Sequence, residues 1–165
     1  MRRAEAGEKI SFMARAGFWA IESKTIRFGR DGQWYSDDER IENERIAMLF
    51  SRHVTRGDDG GWWLVIGDER ARIVVDDTPF VVRRVDGSPE TGFRVELNDE
   101  SREPLAVSTL RLGESDVLYC DVKDGRHAAR FLRPAQAELL GHARARGDGF
   151  VLPLPGGAEQ PLRPG

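Results

Sequence analysis

From Thr25 onward, short runs of alternating apolar and polar residues dominate the chain and predict strands rather than long helices. Thr25-Ile26-Arg27-Phe28 and Gln33-Trp34-Tyr35 flank Gly29-Arg30-Asp31-Gly32. An Asp-Gly pair between extended runs marks a hairpin, because glycine tolerates the positive φ of a tight turn. A polar loop, Asp37-Asp38-Glu39-Arg40, follows. The spacing of Ile46, Leu49, Phe50 and Val54 then predicts a helix over 43–54, with Asn43 as its cap. Residues 55–61 end it as a loop. Four strands come next, at 62–66, 71–75, 80–85 and 92–97, with turns at Gly67-Asp68-Glu69-Arg70 and Asp86-Gly87-Ser88-Pro89. Their spacing reads as an antiparallel meander.

The polar stretch Asn98–Pro104 reads as a boundary. Beyond it, Val117–Val122 and His127–Phe131 flank another Asp-Gly turn, Lys123-Asp124-Gly125-Arg126. Pro134 suits a first helical turn, and Ala135, Leu139, Leu140 and Ala143 supply the apolar side of a helix over 134–146. Phe150-Val151-Leu152 is a last strand. The expected fold is therefore α+β: two small antiparallel β-rich halves, each with one helix, packed as one unit. The halves span 25–98 and 99–155, between an N-terminal extension (1–24) and a Pro/Gly-rich tail (156–165). In the extension, Phe12, Met13, Phe18, Trp19 and Ile21 suggest a short helix or strand laid over the body. Residues 26–66 and 117–152 share a β-β-α-β order, which fits either an internal duplication or two hairpins built from the same turn grammar.

Composition narrows the function classes. The chain has 165 residues, 39% hydrophobic and 32% charged, enough for a core with a well-solvated surface. A net charge of −3 gives no overall reason to expect nucleic acid or a membrane surface as partner. Of the 25 basic residues only three are lysines and 22 are arginines. Arginine grips carboxylates and phosphates in a planar fork and transfers protons poorly, which favours ion pairing or anion recognition over acid–base chemistry. One cysteine, Cys120, leaves no intrachain disulfide and sits in a strand pattern as a small buried hydrophobe. With no apolar run near the ~20 residues of a membrane helix and no signal-peptide pattern, the expected location is cytoplasmic.

The sharpest local feature is Arg70-Ala71-Arg72-Ile73-Val74-Val75-Asp76-Asp77-Thr78-Pro79-Phe80. Here two strands are expected to meet at a turn with adjacent carboxylates and a proline that removes a backbone donor. Strand alternation puts Arg72, Val74 and Asp76 on one side, where Arg72 and Asp76 can pair. Arg72, Asp76 and Asp77 are thus candidate ligand-binding residues, the arginine for an anion and the carboxylates for a cation or hydroxyl; a self-tied Asx turn beside a solvated ion pair is the plainer alternative. Trp62 and Trp63 join them, because neighbours in a strand face opposite sides and one ring must point outward. The acidic loops at 37–39 and 58–59 lack the ligand alternation of a calcium loop and read as solvated. His53, His127 and His142 have no partner at metal-ligand spacing, and no phosphate loop, nucleophile elbow or metal motif is present. No cofactor is expected.

Arg30-Asp31-Gly32-Gln33-Trp34-Tyr35, Ile41, Leu49-Phe50-Ser51, Trp63-Leu64-Val65 and above all Glu69–Phe80 resemble a bacterial family of uncharacterised proteins, the domain-of-unknown-function 1285 family. Leu118-Tyr119, Ala129–Pro134 and Glu138-Leu139 are similar to that family's C-terminal half. The resemblance spans roughly residues 25–155. It implies a two-part β-rich fold with repeated motifs and a conjectured part in signal transduction, with no catalytic residue. The sequence thus points to a non-enzymatic regulatory or small-ligand-binding protein. A hydrolase-like enzyme using Asp76 or Asp77, or an interaction module using an open sheet edge, are the alternatives.

Overall fold

The computed structural model describes residues 25–164; the element expected within 1–24 lies outside them. The chain divides between Asp77 and Thr78 into two compact units. The α+β expectation holds, with strand-rich halves.

The first unit comprises β1 (Ile26–Phe28), β2 (Trp34–Ser36), β3 (Glu39–Arg40), α1 (Glu44–Ser51), β4 (Val54–Arg56), β5 (Trp62–Ile66) and β6 (Glu69–Val75). They form one sheet in the order β3-β2-β1-β6-β5-β4. Every pairing is antiparallel except β1 with β6, which run parallel with Arg27 opposite Val74. The inner face carries Ile26, Phe28, Trp34, Leu64, Ile66, Ala71 and Ile73, all buried, as is Phe50 of α1. Trp34 is 1% exposed, packed against Phe28 and edge-on to Phe50. Its indole N–H donates to Ser51 Oγ at 3.0 Å, so the largest fully buried side chain among the described residues has no orphaned donor. Asn43 caps α1 as expected, its Oδ1 accepting from the backbone N–H groups of Arg45 and Ile46. The helix stops at Ser51 rather than at residue 54, because Val54 is taken by strand pairing opposite Leu64.

The second unit comprises β7 (Phe80–Ser88), β8 (Gly92–Leu97), β9 (Arg102–Pro104), β10 (Arg111–Leu112), β11 (Leu118–Val122), β12 (His127–Phe131), α2 (Arg133–Leu140), β13 (Arg144–Arg146), β14 (Gly149–Pro153), β15 (Glu159–Pro161) and β16 (Arg163–Pro164). Three 3-10 turns, at 107–109, 114–116 and 155–157, complete it. The main sheet has the order β16-β10-β11-β12-β7-β8-β9, and β13-β14-β15 form a small separate one. Phe80, Val82, Phe93, Val95, Leu97, Leu118, Cys120, Ala129 and Phe131 join Ala135 and Leu139 of α2 in one buried cluster.

Several expectations shift. The supposed four-strand meander splits: β5 and β6 belong to the first sheet, β7 and β8 to the second. The turn at residues 76–79 is therefore the link between units, not a turn within one meander. The stretch Asn98–Pro104 lies inside the second unit, where β8 turns into its partner β9. Asp86 and Gly87 belong to β7 rather than to a turn, since Gly87 adopts φ +104° while paired with Phe93. Residues 144–146 leave the predicted helix for β13, paired with β14. The Pro/Gly-rich tail is not free: β15 pairs with β14, and β16 runs parallel to β10. Nor are the sheets purely antiparallel, since each main sheet has a parallel pair at its centre.

The repeat is real at the level of strand order, though in a different frame. Each main sheet joins two three-stranded meanders, β1-β2-β3 with β4-β5-β6 and β7-β8-β9 with β10-β11-β12. In each, the first and last strands lie side by side in parallel. The β-β-α-β segments differ: the strand after α1 rejoins its own sheet, whereas β14 enters the small one.

Candidate functional site

The alternation of β6 decides the site. Ala71 and Ile73 are buried, whereas Arg70, Arg72 and Val74 point away from the core. Val74 is 46% exposed, one of two large hydrophobics so exposed among the described residues, with Phe150. Across the strands, Arg72 lies opposite Trp63, and Val74 opposite Arg27, which in turn faces Tyr35. The outer face of this sheet combines arginines with the Trp63 and Tyr35 rings and with Val65 and Val74.

The expected Arg72–Asp76 pair does not form. Arg72 Nη1 donates instead to Asp59 Oδ2 at 2.6 Å, and Arg27 Nη1 donates to Asp76 Oδ2 at 2.6 Å. Arg27 also reaches Asp38 at 3.2 Å. Residues two apart on one strand sit about 6.5–7 Å from each other, and nearer carboxylates on neighbouring segments win. Asp77 is exposed at the end of the first unit, beside Thr78, whose buried hydroxyl donates to the Phe80 carbonyl. Trp63 is the outward ring and Trp62 the inward one, yet both are only half-exposed. Arg56 lies over Trp62 at 4.6 Å from the ring centre, and Arg70 and Arg72 lie over Trp63 at 4.2 and 5.2 Å. The tryptophans therefore serve as platforms for guanidinium groups, an arrangement favoured by the ring quadrupole.

The loop before β5 makes room for this stack. A Cβ on Gly57 would lie 2.5 Å from Trp63 Nε1, and one on Gly61 would lie 2.5 Å from Arg72 Nη2. Arg72 thus rests across the bare backbone of Gly61. Asp59 is fixed at both oxygens: Oδ1 accepts from Gly61 N–H at 2.9 Å and Oδ2 from Arg72. The Gly61 hydrogen bond, then the Arg72 guanidinium, hold its carboxyl down at a pKa of about 2. Asp59, Arg27, Arg70 and Tyr35 are the participants that sequence reasoning missed. Asp58-Asp59-Gly60-Gly61 reads as a plain solvated loop, and its informative feature is a glycine on either side of the acidic pair.

In the second unit, Lys123 forms an enclosed ion pair, its side chain 23% and that of Asp99 10% exposed. Its Nζ donates to Asp99 Oδ2 at 2.7 Å and to Ser101 Oγ at 2.9 Å, and lies 5.1 Å from the Phe80 ring centre. Burial works to raise the Asp99 pKa, but hydrogen bonds from Lys123 and Ser101 outweigh it and leave the carboxyl below its usual range. Lys123 thus ties the β11–β12 turn to Asp99 and Ser101. Cys120 is fully buried and burial pushes its thiol up to about 12, which keeps it protonated and inert. His53 Nδ1 meets the Leu49 carbonyl at 2.8 Å, His127 packs on Phe80, and His142 packs on Phe93 near Glu138. Among the described residues, no group of three His, Cys, Asp or Glu side chains is placed to hold a metal. Nor is any of their helices long and apolar enough to cross a membrane.

Comparison with known proteins agrees with this architecture. Residues 19–78 match the family model described as "Domain of unknown function (DUF1285), N-terminal domain". No curated protein matches the sequence. The crystal structure of a DUF1285 family protein from Silicibacter pomeroyi DSS-3 superposes with a TM-score of 0.64 at 21% identity, covering 83% of this chain and 78% of that one. A second, from Shewanella baltica OS155, gives 0.57 at 17% identity over 73% of this chain and 93% of that one. The matched segment ends one residue past the division between the units, so sequence family and compact unit coincide there. Residues 19–78 are thus similar in sequence to the N-terminal domain of the DUF1285 family, and the chain shares the fold of solved DUF1285 proteins.

Proposed function

We propose that this is a non-enzymatic binding protein, working in the cytoplasm, whose first sheet offers Arg70 and Arg72 to a small anionic ligand in a regulatory role such as signal transduction. The observation that carries this reading is the stacking of both guanidinium groups on Trp63. Two long side chains already ordered on a ring lose less conformational freedom when an anion arrives, which is the benefit of preorganisation. Arg70 has no carboxylate partner among the described residues, so its hydrogen-bonding capacity remains available. Asp76 supports the same reading from the other side: bonded to Arg27, it is a structural counter-ion and poorly placed to act as a base. The ligand is small rather than polymeric. Across residues 25–77, eight arginines face twelve carboxylates, and that negative excess repels a nucleic-acid backbone or an anionic membrane.

A thermal-shift screen of the full chain against phosphate, sulfate, nucleotides and organic acids tests the proposal. A ligand present at about 100 times its Kd stabilises the folded state by about 2.7 kcal/mol, a readily measured rise in melting temperature. The expected result is stabilisation by at least one anion and its loss in Arg72→Gln. Equal stabilisation of the variant, or none by any anion, would sink the reading.

A further inference from the structure

We propose that Asp59 occupies Arg72 as a built-in stand-in for the ligand, and that a compact organic acid displaces it, its carboxylate taking the guanidinium and its apolar body covering Val74. This rests on the anion-binding reading above and adds the ligand class and the means of control.

The geometry points to exchange rather than to a permanent strut. The Arg72 and Asp59 side chains are 58% and 49% exposed, so an incoming carboxylate can reach the pair from solvent. Asp59 belongs to a loop flanked by Gly57 and Gly60-Gly61, where backbone rotation is least hindered. When it leaves, the Asp59 carboxylate keeps its hydrogen bond from Gly61 N–H and gains water, so no buried charge is stranded. Arg72 stays in place meanwhile, because Trp63 and the open surface of Gly61 support it independently of Asp59. The ligand's apolar part follows from the next outward position on β6: Val74 lies about 6.5–7 Å along the strand from Arg72 and is 46% exposed. A carboxylate attached to a ring or short chain spans that distance; an inorganic anion does not.

The experiment is calorimetric titration of the full chain with benzoate and with acetate, using wild type, Asp59→Asn, Asp59→Gly and Arg72→Gln. Asparagine retains an oxygen for Gly61 N–H while removing the competing charge, and glycine removes the side chain altogether. Benzoate binding about fivefold tighter in both Asp59 variants, weaker binding of acetate, and no binding in Arg72→Gln would establish the exchange. Benzoate binding unchanged by Asp59→Asn and Asp59→Gly but abolished by Arg72→Gln would overturn the exchange and leave the anion site standing. Acetate binding as tightly as benzoate would overturn the ligand class. Binding unaffected by Arg72→Gln, or absent from every protein, would remove the site itself.

Discussion

The two main sheets share one strand order and differ on their outer faces. In the first, the central parallel pair sets Arg27 against Val74; in the second, it sets Val81 against Arg130. The arginine has changed strands. Val74 is 46% exposed while Val81 is 1% exposed. Each arginine has a tyrosine neighbour, but Arg27 lies over the Tyr35 ring at 4.4 Å, whereas Arg130 Nη1 donates to the Tyr119 hydroxyl at 3.3 Å. What the sheets hold in common is what inward alternation and backbone pairing require. The outward positions carry no such requirement, and only the first sheet uses them to order guanidinium groups on an indole. On this shared scaffold with unequal faces, the arginine–indole stack belongs to the first unit alone.

The sharpest way to test that separation is to damage one core at a time. Trp34→Ala removes a side chain that is 1% exposed together with its hydrogen bond to Ser51 Oγ. The expected loss is about 3–5 kcal/mol. All four tryptophans precede residue 78, so the fluorescence of Trp62 and Trp63 reports denaturant unfolding of the first unit while circular dichroism reports both units. A shift of the fluorescence midpoint equivalent to less than about 1 kcal/mol, below the range for buried truncations, would mean that Trp34 is not the keystone of its sheet.

Two glycine-to-alanine changes sharpen the contrast between backbone and surface. At Gly87, with φ +104°, a Cβ would collide with the Gly92 carbonyl oxygen across the β7–β8 pair. Strained backbone of this kind costs on the order of 1–3 kcal/mol. At Gly61 the obstructing group is the mobile end of Arg72. Gly61→Ala is expected to cost under about 1 kcal/mol, as surface changes do, while displacing Arg72 from Trp63 and weakening anion binding. Thermal melts of both variants, with benzoate titration of Gly61→Ala, check the pair.

These differences explain how far the sequence could be read. Short apolar and alternating runs revealed β5, β8 and β12, Asp-Gly turns marked both hairpins, and Asn43 declared the start of α1, because each is settled by residues within one turn or strand. Partners across distance were not legible. Arg27 and Asp76 are 49 positions apart and meet because β1 runs parallel to β6; no local pattern announces that pairing. The same blindness made the link at 76–79 a turn within one meander, and gave Arg72 the wrong carboxylate. Arg72 and Trp63 stood out as polar or aromatic groups on an outward strand face, while Asp59 was hidden in an ordinary loop whose meaning depends on what lies above Gly61.

A smaller effect separates the two ion pairs by pH. Asp99 has a depressed pKa in the folded protein, so its contribution is present above the unfolded value of about 3.9 and is lost as pH falls through the folded value. Lys123→Met should flatten that acid limb and cost about 1 kcal/mol at neutral pH, the upper end for a partly solvated pair. Melting temperature against pH from 7 to 2.5 gives the comparison directly; parallel curves for variant and wild type would show that the Lys123–Asp99 pair contributes nothing.

The smallest and most specific effect is on titration alone. Asp59 sits at about 2 chiefly because Gly61 N–H donates to it, with Arg72 second. Arg72→Gln therefore raises the Asp59 pKa only part of the way to its ordinary value, since the larger cause remains. Asp99 behaves differently when Lys123→Met removes its cation, because burial, the largest influence on that carboxyl, is then less opposed and drives it further upward. Carboxyl carbon shifts followed by NMR across pH 1.5–6 would resolve both. The expected order is a larger rise at Asp99 than at Asp59, with added salt shrinking the Arg72-dependent part of the Asp59 shift. A full return of Asp59 to the ordinary carboxylate range in Arg72→Gln would mean that the arginine, not the loop backbone, holds the carboxylate in place, and an anion that took Arg72 would then release the loop as well.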